Sequence, residues 1–171
     1  MNQPANYLVA RSGATLYVRA VGLANMKNAP MLDAFLQEEI QLAADTACVD
    51  LSACTGMDST FMGVLVGYSQ LLSKSGGRLV IVNPSESNLR LLHMLGVSTV
   101  LPVIERLDLH GDIEFFSLPA APTLNVVQRV ELVKRAHQNL VALSSGNQEK
   151  FSAFLVALEA DLAKLRERKQ S

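Results

Sequence analysis

The chain has 171 residues, 49% of them hydrophobic and 18% charged, with a formal net charge of −1. That length holds one ordinary domain with a real core and room for an extension, and the apolar fraction excludes a disordered chain. A net charge near zero gives no general attraction to nucleic acid or to an anionic membrane.

The first residues, Met1 to Leu8, lack a basic stretch followed by a long apolar one, so no secretory signal is expected. Tyr7 to Ala10 and Thr15 to Val21 flank Ser12-Gly13 and predict two antiparallel strands joined by a tight turn. Pro30 opens a helical pattern carried by Met31, Phe35, Leu36, Ile40 and Leu42. Ala47 to Leu51 is a short buried strand with Asp50 near its end, and Ser52 to Met57 is expected to be a loop. A second helix runs from about Ser59 to Ser73, with Leu65, Tyr68, Leu71 and Leu72 as its apolar face, and ends at Ser75-Gly76-Gly77. Arg78 to Val82 is the next strand. Asn83-Pro84 predicts an N-cap and a first-turn proline for a third helix through Leu89, Leu92 and Leu95, stopped at Gly96. Thr99 to Ile104 is the last strand candidate. Strands alternating with crossover helices imply an α/β fold with a mostly parallel sheet and helices packed on it.

Leu118 to Pro122 breaks the composition. The expected division is a domain over 1–117, a linker over 118–122 and a two-helix extension over 123–171. The extension holds 8 Lys and Arg against 5 Asp and Glu, and the remainder 7 against 11. Its first helix, Thr123 to Leu143, carries Val126, Val127, Val130, Val133 and Leu140. A turn over Ser144 to Asn147 leads to a second helix, Gln148 to Lys169, with Phe151, Phe154, Leu155, Leu158, Leu162 and Leu165 in a narrow stripe. Such a hairpin packs on its own domain or, through the same seam, on a second copy to form a homodimer.

No metal or catalytic cluster stands out. Cys48 and Cys54 have neither metal-ligand spacing nor a disulfide framework, and read as reduced thiols. His93, His110 and His137 are far apart in sequence and read as surface or helix-face residues. Gly56-Met57-Asp58-Ser59 lacks the spacing of a hydrolase elbow, and Lys74-Ser75-Gly76-Gly77-Arg78 lacks that of a phosphate-binding loop. Phe61 to Leu72 is too short and too interrupted to cross a bilayer, which takes about 20 apolar residues. The expectation is therefore a cytoplasmic protein that is not an enzyme, binds no cofactor, metal or nucleic acid, and does not insert into membranes.

The informative stretch is Asp50-Leu51-Ser52 through Asp58-Ser59-Thr60-Phe61-Met62-Gly63, where a strand ends and a helix begins. Asp58 is a good N-cap, and Ser59 falls in the first helical turn. Alone, this pair reads as a cap. A phosphate on Ser59 would face the positive end of the helix and its orphan N–H groups, next to the Asp58 carboxylate.

From Tyr7 to Ile104 the chain resembles the STAS domain of bacterial anti-sigma-factor antagonists. The resemblance is carried by VDLS, by Met57-Asp58-Ser59, by the Gly-containing apolar helix and by Gly76-Gly77 before the next strand. It implies that Ser59 is a phosphoryl acceptor supported by Asp58, with Asp50 matching the acidic residue that closes the preceding strand. It departs from the family at Thr60-Phe61-Met62-Gly63, where a second small residue and a glycine often follow the acceptor. Thr60 is an alternative acceptor. Phe61 either packs into the core or projects toward a partner; with Met62, and with Arg90 and His93 on the third helix, it is a candidate residue of a binding face. The resemblance implies a partner that is both anti-sigma factor and serine kinase, and a phosphatase that resets the switch. The alternative is a STAS scaffold subunit of a signalling or transporter assembly, with Ser59 only a cap; a small-ligand module lacks any phosphate cradle to support it.

Overall fold

A computed structural model describes residues 6–109, 111–120 and 123–171. His110, residues 121–122 of the linker and the start of the chain up to residue 5 lie outside them. Strands β1 (Tyr7–Ser12) and β2 (Thr15–Ala20) form an antiparallel pair closed at Gly13, whose φ of 61° suits a tight turn. Helix α1 (Ala29–Gln41) follows β3 (Gly22–Ala24). Then come β4 (Thr46–Asp50), β5 (Cys54–Met57), α2 (Ser59–Lys74), β6 (Arg78–Val82) and α3 (Glu86–Met94). The short strands β7 (Val103–Ile104) and β8 (Phe116–Ser117) complete the sheet, and α4 (Val126–Val141) and α5 (Ser145–Gln170) form the expected hairpin.

The main sheet has the order β7-β6-β4-β2-β1-β8. β2, β4, β6 and β7 run parallel, and β1 and β8 add an antiparallel edge. Register places Val18, Val49 and Ile81 in one row, and Leu16, Ala47 and Leu79 in another. Both rows belong to the main core, with Leu32 and Leu36 of α1, Leu65 and Leu72 of α2 and Leu92 of α3. Tyr17, Cys48, Val80 and Val82 form a smaller cluster, as the two-residue period of a strand requires of its opposite face. Leu132, Ala136, Leu140 and Phe151 of the hairpin join the main core, so α4 and α5 form an outer layer over α2.

Several local readings need correction. Residues 54–57 are not loop but β5, paired in parallel with β3 in a separate two-stranded sheet. Asn83 does not cap α3. It sits at φ 57°, with its side chain bonded to Asp50 and to Leu107, and Ser85 accepts from Asn88 N–H instead. The strand expected over 99–104 shrinks to Val103–Ile104, because a 3-10 turn takes Val97–Thr99. Ser144 is itself the N-cap of α5, so that helix starts before Gln148. Val126 is exposed, and the buried side of α4 is Leu132, Val133, Ala136, His137 and Leu140. On α2, Leu71 faces out, while every residue from Thr60 to Val66 is buried between the sheet and α4.

Candidate functional site

The site is built at the start of α2. Asp58 has an extended backbone, and its carboxylate accepts from Phe61 N–H at 2.9 Å, which satisfies one orphan amide of the helix. Its second oxygen accepts from Met26 N–H, also at 2.9 Å, and its own N–H donates to the Ala24 carbonyl. One side chain thus ties the helix start to the segment after β3. The pairing of β3 with β5 carries Met57 and Asp58 to that place. Beside Asp58 lies a shallow groove lined by Leu23, Asn25, Gly56, Asn88 and Leu91 among others, with Leu23 and Met26 both exposed.

Ser59 is half-buried, and its hydroxyl is engaged. It lies 2.8 Å from Nε2 of His137 on α4, across 78 residues of sequence. Nδ1 of that ring is 2.7 Å from the Val133 carbonyl. A carbonyl only accepts, so Nδ1 carries the proton. In the neutral ring Nε2 then accepts from the Ser59 hydroxyl. His137 is 3% exposed and is held edge-on by Phe151 and Phe154 of α5. The sequence reading of His137 as a surface or helix-face residue is corrected: it is a buried partner of the proposed acceptor. A local signal existed in Gly63 and Gly67, four residues apart on α2, which mark a face another helix can approach closely. A Cβ at Gly63 would fall on the Ala136 carbonyl, and Asn139 donates to the Gly63 carbonyl at 3.1 Å.

The other candidate residues separate. Thr60 is 2% exposed, and its hydroxyl is out of reach of a visiting enzyme, which removes it as an alternative acceptor. Phe61 and Met62 lie in the core, so neither presents a side chain to a partner. Arg90 and His93 are exposed on α3, one beside Glu86 and the other bonded to Ser98. Of the seam offered for a homodimer, Phe151, Leu158 and Leu162 are buried within this chain, while Phe154 is exposed and Leu155 and Leu165 are half-buried.

Asp50 stands apart from Ser59. Its hydrogen bonds go to Arg19 at 2.7 Å, to the Ser52 amide and hydroxyl at 3.0 Å each, and to Asn83 at 3.2 Å. Burial would raise the pKa of this carboxyl, but the Arg19, Ser52 and Asn83 donors together bring it below the ordinary value. Asp50 therefore braces both loops that follow strands β4 and β6. Burial raises the thiol pKa of Cys48 to about 11, and that of Cys54 in the same direction, which keeps both thiols unreactive.

Among the described residues, no helix is long and apolar enough to cross a membrane. The profile described as Mlab, STAS domain matches residues 7–105, more than half of the chain, and the chain belongs to this STAS family. An anti-sigma-B factor antagonist of Bacillus subtilis (strain 168) is 30% identical over 98 residues, covering 57% of this chain and 89% of that protein. The structure of the anti-sigma factor antagonist SpoIIAA in its unphosphorylated form aligns with a TM-score of 0.53 at 19% identity, over 57% of this chain and 86% of that one. An anti-sigma factor antagonist from Mycobacterium paratuberculosis aligns with a TM-score of 0.55 at 22% identity, over 63% and 92%. At these identities the structural likenesses establish the fold. These relatives are, by description, antagonists of anti-sigma factors. The match ends before α4, so the hairpin that reaches Ser59 lies outside the family profile.

Proposed function

We propose that the chain is a binding switch of the anti-sigma-factor-antagonist kind, with Ser59 as its phosphoryl acceptor. The reading rests on one observation: a serine at the first position of α2, capped by Asp58, beside a groove lined by the exposed side chain of Leu23. Unmodified, that face would bind an anti-sigma factor with serine-kinase activity. In the modification, the γ-phosphoryl group of ATP moves to Oγ of Ser59 and its bond to the β-phosphate breaks. ADP leaves, and the hydroxyl proton passes to a base on the kinase. The added charge, about −1.5 to −2, sits beside the Asp58 carboxylate and weakens a desolvated interface unless an arginine meets it. A phosphatase would restore the first state, in a cytoplasmic setting.

A second reading has its own support. The Ser59 hydroxyl already serves a structural bond to His137. This suits a scaffold subunit of a larger signalling or transporter assembly, in which Ser59 is never modified. Affinity capture of the full chain from its source cells, followed by mass spectrometry, separates the two. A kinase-like ATPase among the captured proteins and phosphate on Ser59, absent from Ser59→Ala, support the switch. Transporter subunits and an unmodified Ser59 support the scaffold. Phosphate entering Ser59→Ala at the wild-type level would overturn the acceptor assignment.

A further inference from the structure

Helix α4 lies along the outer side of α2, and four polar contacts pin the hairpin to the STAS domain. His137 takes the Ser59 hydroxyl at 2.8 Å, and Asn139 donates to Gly63 at 3.1 Å. Asn147 of α5, 3% exposed, donates to the Leu95 carbonyl at the end of α3 and to Leu140, both at 2.8 Å. Arg135 faces Asp33 of α1 at 3.7 Å. The apolar part of the contact belongs to the main core: Leu132, Ala136 and Leu140 from α4 and Phe151 from α5, with Val141 and Leu143 packed against them. Of these contacts only the first touches the proposed acceptor.

The His137 ring is enclosed within the docked hairpin. The Val133 carbonyl accepts from Nδ1, and Phe151 and Phe154 pack against the ring with centroids at 5.0 and 4.8 Å. A phosphoryl group on Oγ would place three oxygens and about two negative charges where Nε2 now sits at hydrogen-bond distance. The backbone beneath cannot yield either, because Gly63 already meets the Ala136 carbonyl closely enough to exclude a Cβ. A kinase approaching Ser59 meets the same obstacle from outside.

We propose that docking of the α4–α5 hairpin and modification of Ser59 exclude one another, so that the hairpin is an intrachain competitor for the acceptor face. The docked hairpin shields the hydroxyl, and a phosphate once added keeps the hairpin off. This rests on Ser59 being the acceptor, and its tests use no kinase, so they fail or succeed independently of that reading.

The first test measures access. In the full-length Ser59→Cys protein, with Cys48 and Cys54 buried, labelling by a maleimide should be slow. Adding Gly63→Val, which forces α4 away from α2, or Asn147→Ala, which releases α5 from α3, should speed it at least tenfold. Equal labelling rates with either change would overturn the proposal. The second test installs phosphoserine at position 59 of the full chain during synthesis and follows amide hydrogen exchange. Exchange over 126–141 should rise at least tenfold while β4 and β6 stay protected. Unchanged protection of α4 would overturn the proposal. So would loss of protection in β4 and β6, because the phosphate would then be incompatible with the whole domain and not with the hairpin alone.

Discussion

The starts of α2 and α3 use the same local device. Each follows a parallel strand, each has a short polar N-cap in extended conformation, and each cap accepts from the amide three residues on: Asp58 from Phe61 and Ser85 from Asn88. Their surroundings differ. Ser85 and Glu86 are exposed, and the Ser85 hydroxyl is also within reach of Ser87 on its own helix. Asp58 also ties down Met26, and Ser59 reaches His137 on a helix that lies outside the family profile. A helix start becomes a candidate regulatory site here through what is laid over it. Capping chemistry alone marks both ends equally.

That contrast can be broken in graded ways. The largest effect is expected for Gly63→Val. Its side chain meets the Ala136 backbone, which cannot give way without moving α4, and a loss of about 3 kcal/mol should appear in urea unfolding. Asp50→Ala comes next, because Asp50 braces the loops leading to both helix starts. Removing this buried carboxylate, with its bonds to the half-buried Arg19, to Ser52 and to Asn83, should cost about 2–3 kcal/mol at pH 7. The sign with pH follows from the lowered carboxyl pKa. The Asp50 contribution is present above the unfolded value of about 4 and is lost as pH falls through the folded value below it. The wild type and Asp50→Ala should therefore converge in acid, and a gap that stays constant down to pH 2 would contradict this.

Smaller changes sharpen the comparison. Asp58→Ala should cost about 1–2 kcal/mol, more than Ser85→Ala at about 1 kcal/mol, since Asp58 serves Met26 as well as Phe61. Equal losses by thermal unfolding would mean that the bond to Met26 contributes nothing. Ser59→Ala should match Ser85→Ala, at about 1 kcal/mol, from the loss of a single hydrogen bond to a buried ring.

The main sheet and the helix starts were legible because they rest on local rules. Ser12-Gly13 forces its turn, and Gly76, at φ 82°, follows the end of α2. Asp58 is an N-cap by residue type and position alone. Asn83-Pro84 carried the same kind of signal and misled, because Asp50 and Leu107 draw the Asn83 side chain away from the helix. The pair β3–β5 left no trace in the pattern: three and four residues show no period, and their pairing joins segments some thirty residues apart. The fate of Phe61 and Met62 depended on which side of α2 meets the core, and the unbroken apolar run from Phe61 to Leu65 carries no mark of it apart from its glycine. The contact between His137 and Ser59 is likewise non-local, with Gly63 and Gly67 as its one sequence trace.

A hairpin that guards Ser59 must be energetically joined to it. A double-mutant cycle of Ser59→Ala and His137→Ala, read by urea unfolding, measures that directly. A coupling of about 1 kcal/mol is expected for a hydrogen bond made only when both residues are present. If the two losses simply add, the hydroxyl and the ring do not hold each other, and the hairpin is no guard of Ser59.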